Sequence, residues 1–206
     1  MDSRQRIINE AALMFRAYGI RAVTMDMLSS RLGISKRTLY EVFRDKDELL
    51  RGVMEWMSEM QKELMDKIMN DSENIIEAIF KMLRIMSDHY KEMSPAFKMD
   101  MKRFYSNIPE KDDLSRELPH HRQNSEILKR GIREGVFRDD IDIEITNRCL
   151  TEFSKLSQES DSASPDTVMD EDVMRNIFIN YMRGISTPKG LELINYHAGR
   201  GDEGRK

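Results

Sequence analysis

The first 94 residues of this 206-residue chain contain no proline, because all five prolines lie at or beyond Pro95. Proline is the residue that most strongly interrupts an α-helix, so nothing in this stretch forces a helix to end. Apolar residues recur there in steps of three and four, and no segment of the chain alternates polar and apolar residues as a half-buried strand does. The pattern predicts an all-α protein of about nine helices.

Cysteine usage and hydropathy exclude several classes of protein. The single cysteine excludes an internal disulfide framework and is typical of a reducing compartment. No apolar run approaches the roughly 18 residues of a membrane span, and the first residues lack the pattern of a secretion signal. We therefore expect a cytoplasmic protein that has no membrane partner.

Charge is unevenly distributed along the chain. The net charge is −4, but residues 1–52 hold 10 Lys and Arg against 7 Asp and Glu, a net of +3, which leaves −7 for the remainder. A basic N-terminal segment followed by an acidic chain favours a protein that binds a polyanion through its N-terminal segment alone.

Helix signals divide the chain into two predicted domains and a tail. A first helix is expected to end at Gly19, and two short helices follow, with Gly33 between them. A long helix then begins at Asp45, which can cap it, with Glu48 placed to complete a capping box. We expect a three-helix domain over residues 1–46, a larger helical domain over residues 47–195, and a disordered tail over residues 196–206.

The segment 24–46 predicts a helix-turn-helix. Six apolar residues can form one small core, with Gly33 in the turn and Ser35 as the cap of the second helix. These are Met25, Leu28, Leu32, Ile34, Leu39 and Phe43. The second helix then carries Lys36, Arg37 and Thr38 at its N-terminal end, which is the end that reaches base edges in a major groove. The alternative interpretation is an ordinary helical hairpin with a solvated basic face.

The same run of residues resembles the N-terminal domain of the TetR (tetracycline-repressor) family of bacterial transcriptional regulators. The resemblance covers about the first 55 residues, and a second, shorter stretch, residues 131–140, is similar to the junction of the seventh and eighth helices in that family. It implies that Lys36 and Arg37 face bases. It implies phosphate contacts for Thr24, Ser35, Thr38, Tyr40 and Lys46. Arg37 departs from the family pattern, in which a small residue is frequent, so the base preference is expected to differ.

The resemblance also implies a homodimer. Two N-terminal domains in successive major grooves would read more sequence than one. In the family, the last two long helices of each chain pair across a twofold axis. The residues expected at that interface are Cys149, Phe153, Leu156, Val173, Ile177, Tyr181 and Ile185. Alternatively, these apolar faces close the core of a single chain.

Ten of the 17 methionines lie between residues 54 and 101. Methionine is flexible and polarizable, so such a region can accept varied apolar ligands, although it can equally be core. The resemblance implies an effector cavity among the fourth to seventh helices. The residues expected to line it are Met57, Met60, Met86, Tyr90, Phe97, Met101 and Phe104.

These observations predict a DNA-binding transcriptional regulator that acts as a repressor and leaves a palindromic operator when a small, largely apolar ligand binds. No residues match a catalytic, metal-binding or cofactor-binding motif, so an enzyme is not expected. Two alternatives remain open at this stage. One is an architectural DNA-binding protein without a ligand, and the other is a helical protein-interaction module or small enzyme with a vestigial head.

Overall fold

A computed structural model of the chain describes residues 2–106, 119–150 and 171–203. Within these ranges the secondary structure is α-helical, and the extended pairing found there is an isolated bridge between Phe137 and Ser186. The predicted all-α class is confirmed.

The described ranges contain ten helices, against about nine expected from the periodicity. In chain order they are α1 (Ser3–Tyr18), α2 (Met25–Leu32), α3 (Lys36–Val42), α4 (Lys46–Asp71), α5 (Ile75–Glu92), α6 (Pro95–Ser106), α7 (Pro119–Arg133), α8 (described over residues 143–150), α9 (Glu171–Ile185) and α10 (Pro188–Glu203).

Chain contacts divide the molecule into two compact units. The head unit comprises Met1–Lys67 and Asp88–Pro109, and the body unit comprises Ile68–Ser87 and Glu110–Lys206. The head unit therefore includes α6 and part of α4 as well as the three helices that the sequence assigned to the first domain. The predicted domain bounds at residues 46 and 195 stay a prediction.

The core of the head unit joins α1, α2 and α3 to α4 and α6. Leu28, Leu39 and Phe43 are fully buried in it, as the sequence predicted for the helix-turn-helix. Val53 of α4 and Phe97 of α6 are buried in the same cluster. Burial of a large apolar side chain contributes about 1.5–3 kcal/mol, so α4 and α6 are integral to the stability of this unit.

The turn between α4 and α5 is held in the body unit by an ion pair from α7. The Arg130 guanidinium donates to the carbonyl oxygens of Met69 and Ser72, at the C-terminal end of α4. Its Nε also donates to Glu134 Oε1 over 2.5 Å, while Glu134 Oε2 accepts the Ile75 N–H over 2.7 Å at the start of α5. One ion pair thus satisfies backbone groups at a helix end and at the next helix start.

Helix α10 occupies most of the segment for which the sequence predicted a disordered tail, residues 196–206. That prediction is wrong for the part described, which is helical to Glu203. Thr187 Oγ1 accepts the Gly190 N–H over 3.2 Å, and Pro188 takes the first helical position, where the missing N–H costs nothing. Ile194 is fully buried, which holds the helix in the body unit.

Candidate nucleic-acid interface

Helices α2 and α3 form a capped helix-turn-helix. Thr24 Oγ1 accepts the Met27 N–H over 3.2 Å at the start of α2, and Ser35 Oγ accepts the Thr38 N–H over 3.0 Å at the start of α3. Gly33 ends α2 with φ at +67°, a left-handed conformation that glycine adopts without strain. The turn and the Ser35 cap expected from the sequence are both confirmed.

Helix α3 has one buried face and one exposed face. Leu39 is buried against the head core, with Phe43 just beyond the end of the helix, and these two residues fix the orientation of α3. The other face carries the side chains for which a DNA contact was predicted. Ser35, Lys36, Arg37, Thr38 and Tyr40 are all exposed there. Donor groups therefore cover the N-terminal end of an anchored helix, the part that enters a major groove in proteins with this motif.

Both basic residues near the start of α3 are paired with carboxylates. Lys36 Nζ lies 2.5 Å from Asp26 Oδ2 on α2, and Arg37 Nε lies 3.0 Å from Glu41 Oε1 one turn along α3. All four side chains are exposed, and exposed pairs of this kind contribute only about 0–1 kcal/mol. The pairs can therefore open, or bind a further group, at small cost.

Lys46 lies at the first position of α4, close to the loop that follows α1. Its Nζ donates to the Arg21 carbonyl oxygen over 3.3 Å. Burial lowers the pKa of Lys46, while the carboxylates of Asp100 and Asp47 act in the opposite direction. Asp100 of α6 also accepts the Arg21 N–H over 3.0 Å, so α6 contributes to the surroundings of this lysine.

The Asp45 carboxylate lies beside Lys46 and caps the start of α4. Asp45 Oδ1 accepts the Glu48 N–H over 2.8 Å, which is the cap expected from the sequence. Glu48 Oε2 accepts the N–H of Arg44 over 2.7 Å, rather than that of Asp45 as a standard capping box would have it. The Glu48 N–H and the Arg44 Nε–H bonds both lower the pKa of Asp45.

The residues predicted to line an effector cavity have different environments. Phe97 is buried in the head core, and Met57 and Met101 pack against that core. Met60, Met86 and Tyr90 are exposed, and Phe104 lies in α6. Open clefts of about 440 and 420 Å³ in the described part of the body unit are lined by residues other than these seven. The effector cavity stays a prediction.

The residues predicted at the dimer interface are only partly described. Cys149 is exposed on α8, while Ile177, Tyr181 and Ile185 are half-buried on α9. Tyr181 Oη donates to the Thr146 carbonyl oxygen over 2.7 Å, and burial raises the pKa of this phenol. Val173 lies in α9, and Phe153 and Leu156 lie outside the described residues. The interface also stays a prediction.

The described part of the chain has neither a cluster of metal-binding side chains nor a helix that could cross a membrane. Residues 2–106, 119–150 and 171–203 contain no group of three or more His, Cys, Asp or Glu side chains placed to hold a metal ion. No helix in the same ranges has both the length and the apolar character needed to cross a membrane.

Sequence reasoning missed the contacts that the carboxylates of this surface make with their basic and backbone partners. Glu41 lies four residues after Arg37, a spacing at which helical side chains meet, so this pair could have been found from the sequence. Asp26 and Asp100 reach their partners through the tertiary fold, from α2 and α6, and no local spacing indicates those contacts.

Residues 7–53 match the family described as bacterial regulatory proteins, tetR family. The HTH-type transcriptional repressor KstR2 of Mycobacterium tuberculosis is 25% identical over 162 residues, which cover 75% of this chain and 78% of that protein.

Two solved structures show the same fold. A transcriptional regulator from Saccharomonospora viridis in complex with choline has a TM-score of 0.67 at 15% identity, covering 90% of this chain and 98% of that chain. A gamma-butyrolactone receptor described as an ArpA-like protein has a TM-score of 0.60 at 19% identity, covering 97% of each chain.

Proposed function

Because this chain belongs to the TetR family of bacterial regulatory proteins, we propose that it represses transcription by binding a palindromic operator as a homodimer. The observation that carries this proposal is the division of α3 into two faces. Leu39 anchors the helix in the head core, while its N-terminal end exposes Lys36, Arg37, Thr38 and Tyr40. A rigidly held helix with donors at that end matches the requirements of major-groove recognition.

The exposed residues divide by chemistry into two roles. Lys36 and Arg37 read bases, since either cation can bind O6 and N7 of a guanine, a contact that contributes about 1–3 kcal/mol of discrimination. The hydroxyl groups and Lys46 bind phosphates and fix the register of the protein on the duplex. The residues in this second role are Thr24, Ser35, Thr38, Tyr40 and Lys46. The position of Lys46 supports it, because its ammonium group lies at the start of α4 beside the loop that follows α1.

A homodimer would place two copies of α3 in successive major grooves, about 34–36 Å apart on one side of the duplex. The proposed contact uses α8 and α9 around a twofold axis, through Cys149, Ile177, Tyr181 and Ile185 together with Phe153, Leu156 and Val173. A twofold-symmetric dimer requires a palindromic operator, because each half-site must present the same bases to the α3 helix of one protomer.

A small, largely apolar ligand is proposed to release the operator. The choline complex and the gamma-butyrolactone receptor among the structural neighbours support a ligand of some kind. Contacts of α6 with the DNA-binding part of the head unit support a way for the ligand to affect operator binding. Asp100 of α6 accepts the Arg21 N–H, and the Arg21 carbonyl oxygen accepts a bond from Lys46. The ligand must bind one arrangement of the heads more tightly than the other, and a coupling of about 1–3 kcal/mol is sufficient for a partial switch.

DNA binding is tested by selecting sites from random duplex DNA and measuring affinity for the selected site over a range of salt concentrations. We expect Lys36→Ala with Tyr40→Ala to weaken binding at least about tenfold and to reduce the dependence on salt. Lys62→Ala is the matched control, because it removes an equal charge from an exposed position on α4. Unchanged affinity in the double variant would refute the proposed interface.

The ligand proposal has its own experiment. A set of apolar compounds is screened for an increase in Tm, and each compound that raises it is added to the protein bound to its selected site. A compound that stabilises the protein and also weakens operator binding supports regulation by a ligand. If no stabilising compound affects operator binding, the architectural alternative is favoured instead.

A further inference from the structure

We propose that Glu41 is a positioning residue that orients Arg37 toward a guanine and thereby sets part of the base specificity of α3. This inference rests on the DNA-binding function proposed above and concerns how that site discriminates between sequences. The contact behind it is the 3.0 Å bond from Arg37 Nε to Glu41 Oε1, formed across one helical turn on the exposed face of α3.

The geometry of the guanidinium explains what this bond can do. Arginine has five N–H donors in a planar fork, and the bond to Glu41 is made through Nε. The donors on the two Nη atoms are then available for O6 and N7 of a guanine, which accept a bidentate contact. A carboxylate bound at Nε restricts the directions in which the fork can point, because the guanidinium is rigid and planar.

Orientation matters because Arg37 is otherwise mobile. Its side chain is 89% exposed, so little packing restricts its rotamers. Holding a long side chain in one geometry costs conformational entropy when it binds, and a partner on the same helix reduces that cost before DNA arrives. Glu41 provides such a partner from a neighbouring position on the same face.

The charge of Glu41 makes the inference testable. A carboxylate near the phosphates of DNA is repelled, so its removal raises affinity for any duplex. If the carboxylate also orients Arg37, its removal lowers the preference for guanine at the base pair that Arg37 reads. The two effects have opposite consequences for specificity and can be separated by measuring affinity for several sequences.

Asp26 provides a matched control on the same surface. Its carboxylate lies 2.5 Å from Lys36 Nζ, and its side chain is 60% exposed, the same fraction as that of Glu41. Asp26→Asn therefore removes an equal charge from a similar environment without affecting the Arg37 fork. Its partner is an ammonium group, which acts as a point charge and has no plane to orient.

The experiment uses the full-length protein and a site selected by it from random duplex DNA. The base pair at which Arg37→Ala relaxes the preference is identified first. Affinities are then measured for the selected site, for the site altered at that pair, and for an unrelated duplex. The variants compared are Glu41→Ala, which removes both the charge and the acceptor of the Arg37 bond, Asp26→Asn, Arg37→Ala and the double variant Glu41→Ala with Arg37→Ala.

We expect Glu41→Ala to reduce the preference for guanine at that pair by about twofold to fivefold, and to have no effect on it when Arg37 is alanine. Asp26→Asn is expected to leave this preference unchanged. Both single variants should raise affinity for the unrelated duplex to a similar extent, because each removes one negative charge.

Three results would overturn the inference. The first is an unchanged preference in Glu41→Ala, and the second is a loss of preference that persists in the Arg37→Ala background, which would mean that Glu41 contacts a base itself. The third is an Arg37→Ala variant that relaxes no base pair although the wild-type protein still selects a site. If the wild-type protein selects no sequence at all, the proposed function fails first, so the two failures are distinguishable.

Discussion

At the scale of single residues, two glycines of the head unit have positive φ but different surroundings. Gly19 follows α1 with φ at +88° and ψ at +154°, a combination that is essentially restricted to glycine. A Cβ built on it would lie 2.8 Å from the Cβ of Ala96, closer than van der Waals contact allows. Gly33 has φ at +67° and ψ at +31°, and a Cβ there would meet no atom within 4 Å.

We expect Gly19→Ala to destabilise the protein by about 2–4 kcal/mol, because it combines backbone strain with overpacking against α6. Gly33→Ala adds only the left-handed backbone cost, about 1–2 kcal/mol, and serves as the control. Urea unfolding measures both free energies. Equal losses in the two variants would mean that the close approach of α6 to Gly19 does not contribute.

At the scale of elements, α4 begins with a cap whose charge is stabilised by folding. The Asp45 carboxylate accepts the Glu48 N–H over 2.8 Å and the Arg44 Nε–H over 3.0 Å, and these bonds lower its pKa. The unfolded chain therefore binds more protons than the folded chain over the pH range between the two pKa values. In that range the free energy of unfolding increases with pH.

We expect Asp45→Asn to leave a cap in place but to remove this pH dependence, since an amide oxygen can accept the Glu48 N–H and cannot titrate. The wild-type protein should be more stable than the variant above about pH 4, and the difference should disappear as the pH falls through the lowered pKa. Thermal unfolding from about pH 6 to about pH 3 measures this. Asp47→Asn, in the same turn of α4, is the control, and a difference that does not vary with pH would contradict the prediction.

Most helix ends could be predicted because their signals are local. Gly19, Ser35 and Asp45 act within four residues of their partners, and all three act as the sequence indicated. The sequence did not predict helix α10, because a proline just after the end of a helix, such as Pro188, is also a common signal that the helical segment stops. The same proline, preceded by Thr187 as a cap, is a start signal of equal quality, and the burial of Ile194 decides between the two.

At the scale of the whole molecule, the head core includes a residue from the middle of the chain. Phe97 of α6 is 1% exposed and belongs to the same buried cluster as residues of α1, α2 and α3. The helix-turn-helix core itself was predictable, because its apolar residues follow one another at helical spacing. The place of Phe97 was not predictable, because an apolar residue on a helix has the same spacing in the sequence whether it lines a cavity or fills a core.

We expect Phe97→Ala to lower the free energy of unfolding by about 3–5 kcal/mol and to reduce DNA binding at temperatures where the head core is lost. Met99→Ala is the control on the same helix, since Met99 is 58% exposed and its truncation should change stability by less than about 0.5 kcal/mol. Chemical unfolding and DNA affinity are measured in parallel. A Phe97→Ala variant as stable as the control would show that α6 is not required by the head core.

The ion pair of Arg130 and Glu134 has a consequence for synthesis on the ribosome. It completes the backbone bonding of the α4–α5 turn around Met69, Ser72 and Ile75, about 60 residues earlier in the chain. A nascent chain that has been translated only through α5 therefore exposes unpaired carbonyl groups at that turn. The bonds from Arg130 and Glu134 to this corner can form only once α7 has left the exit tunnel, so they are expected to form late in translation.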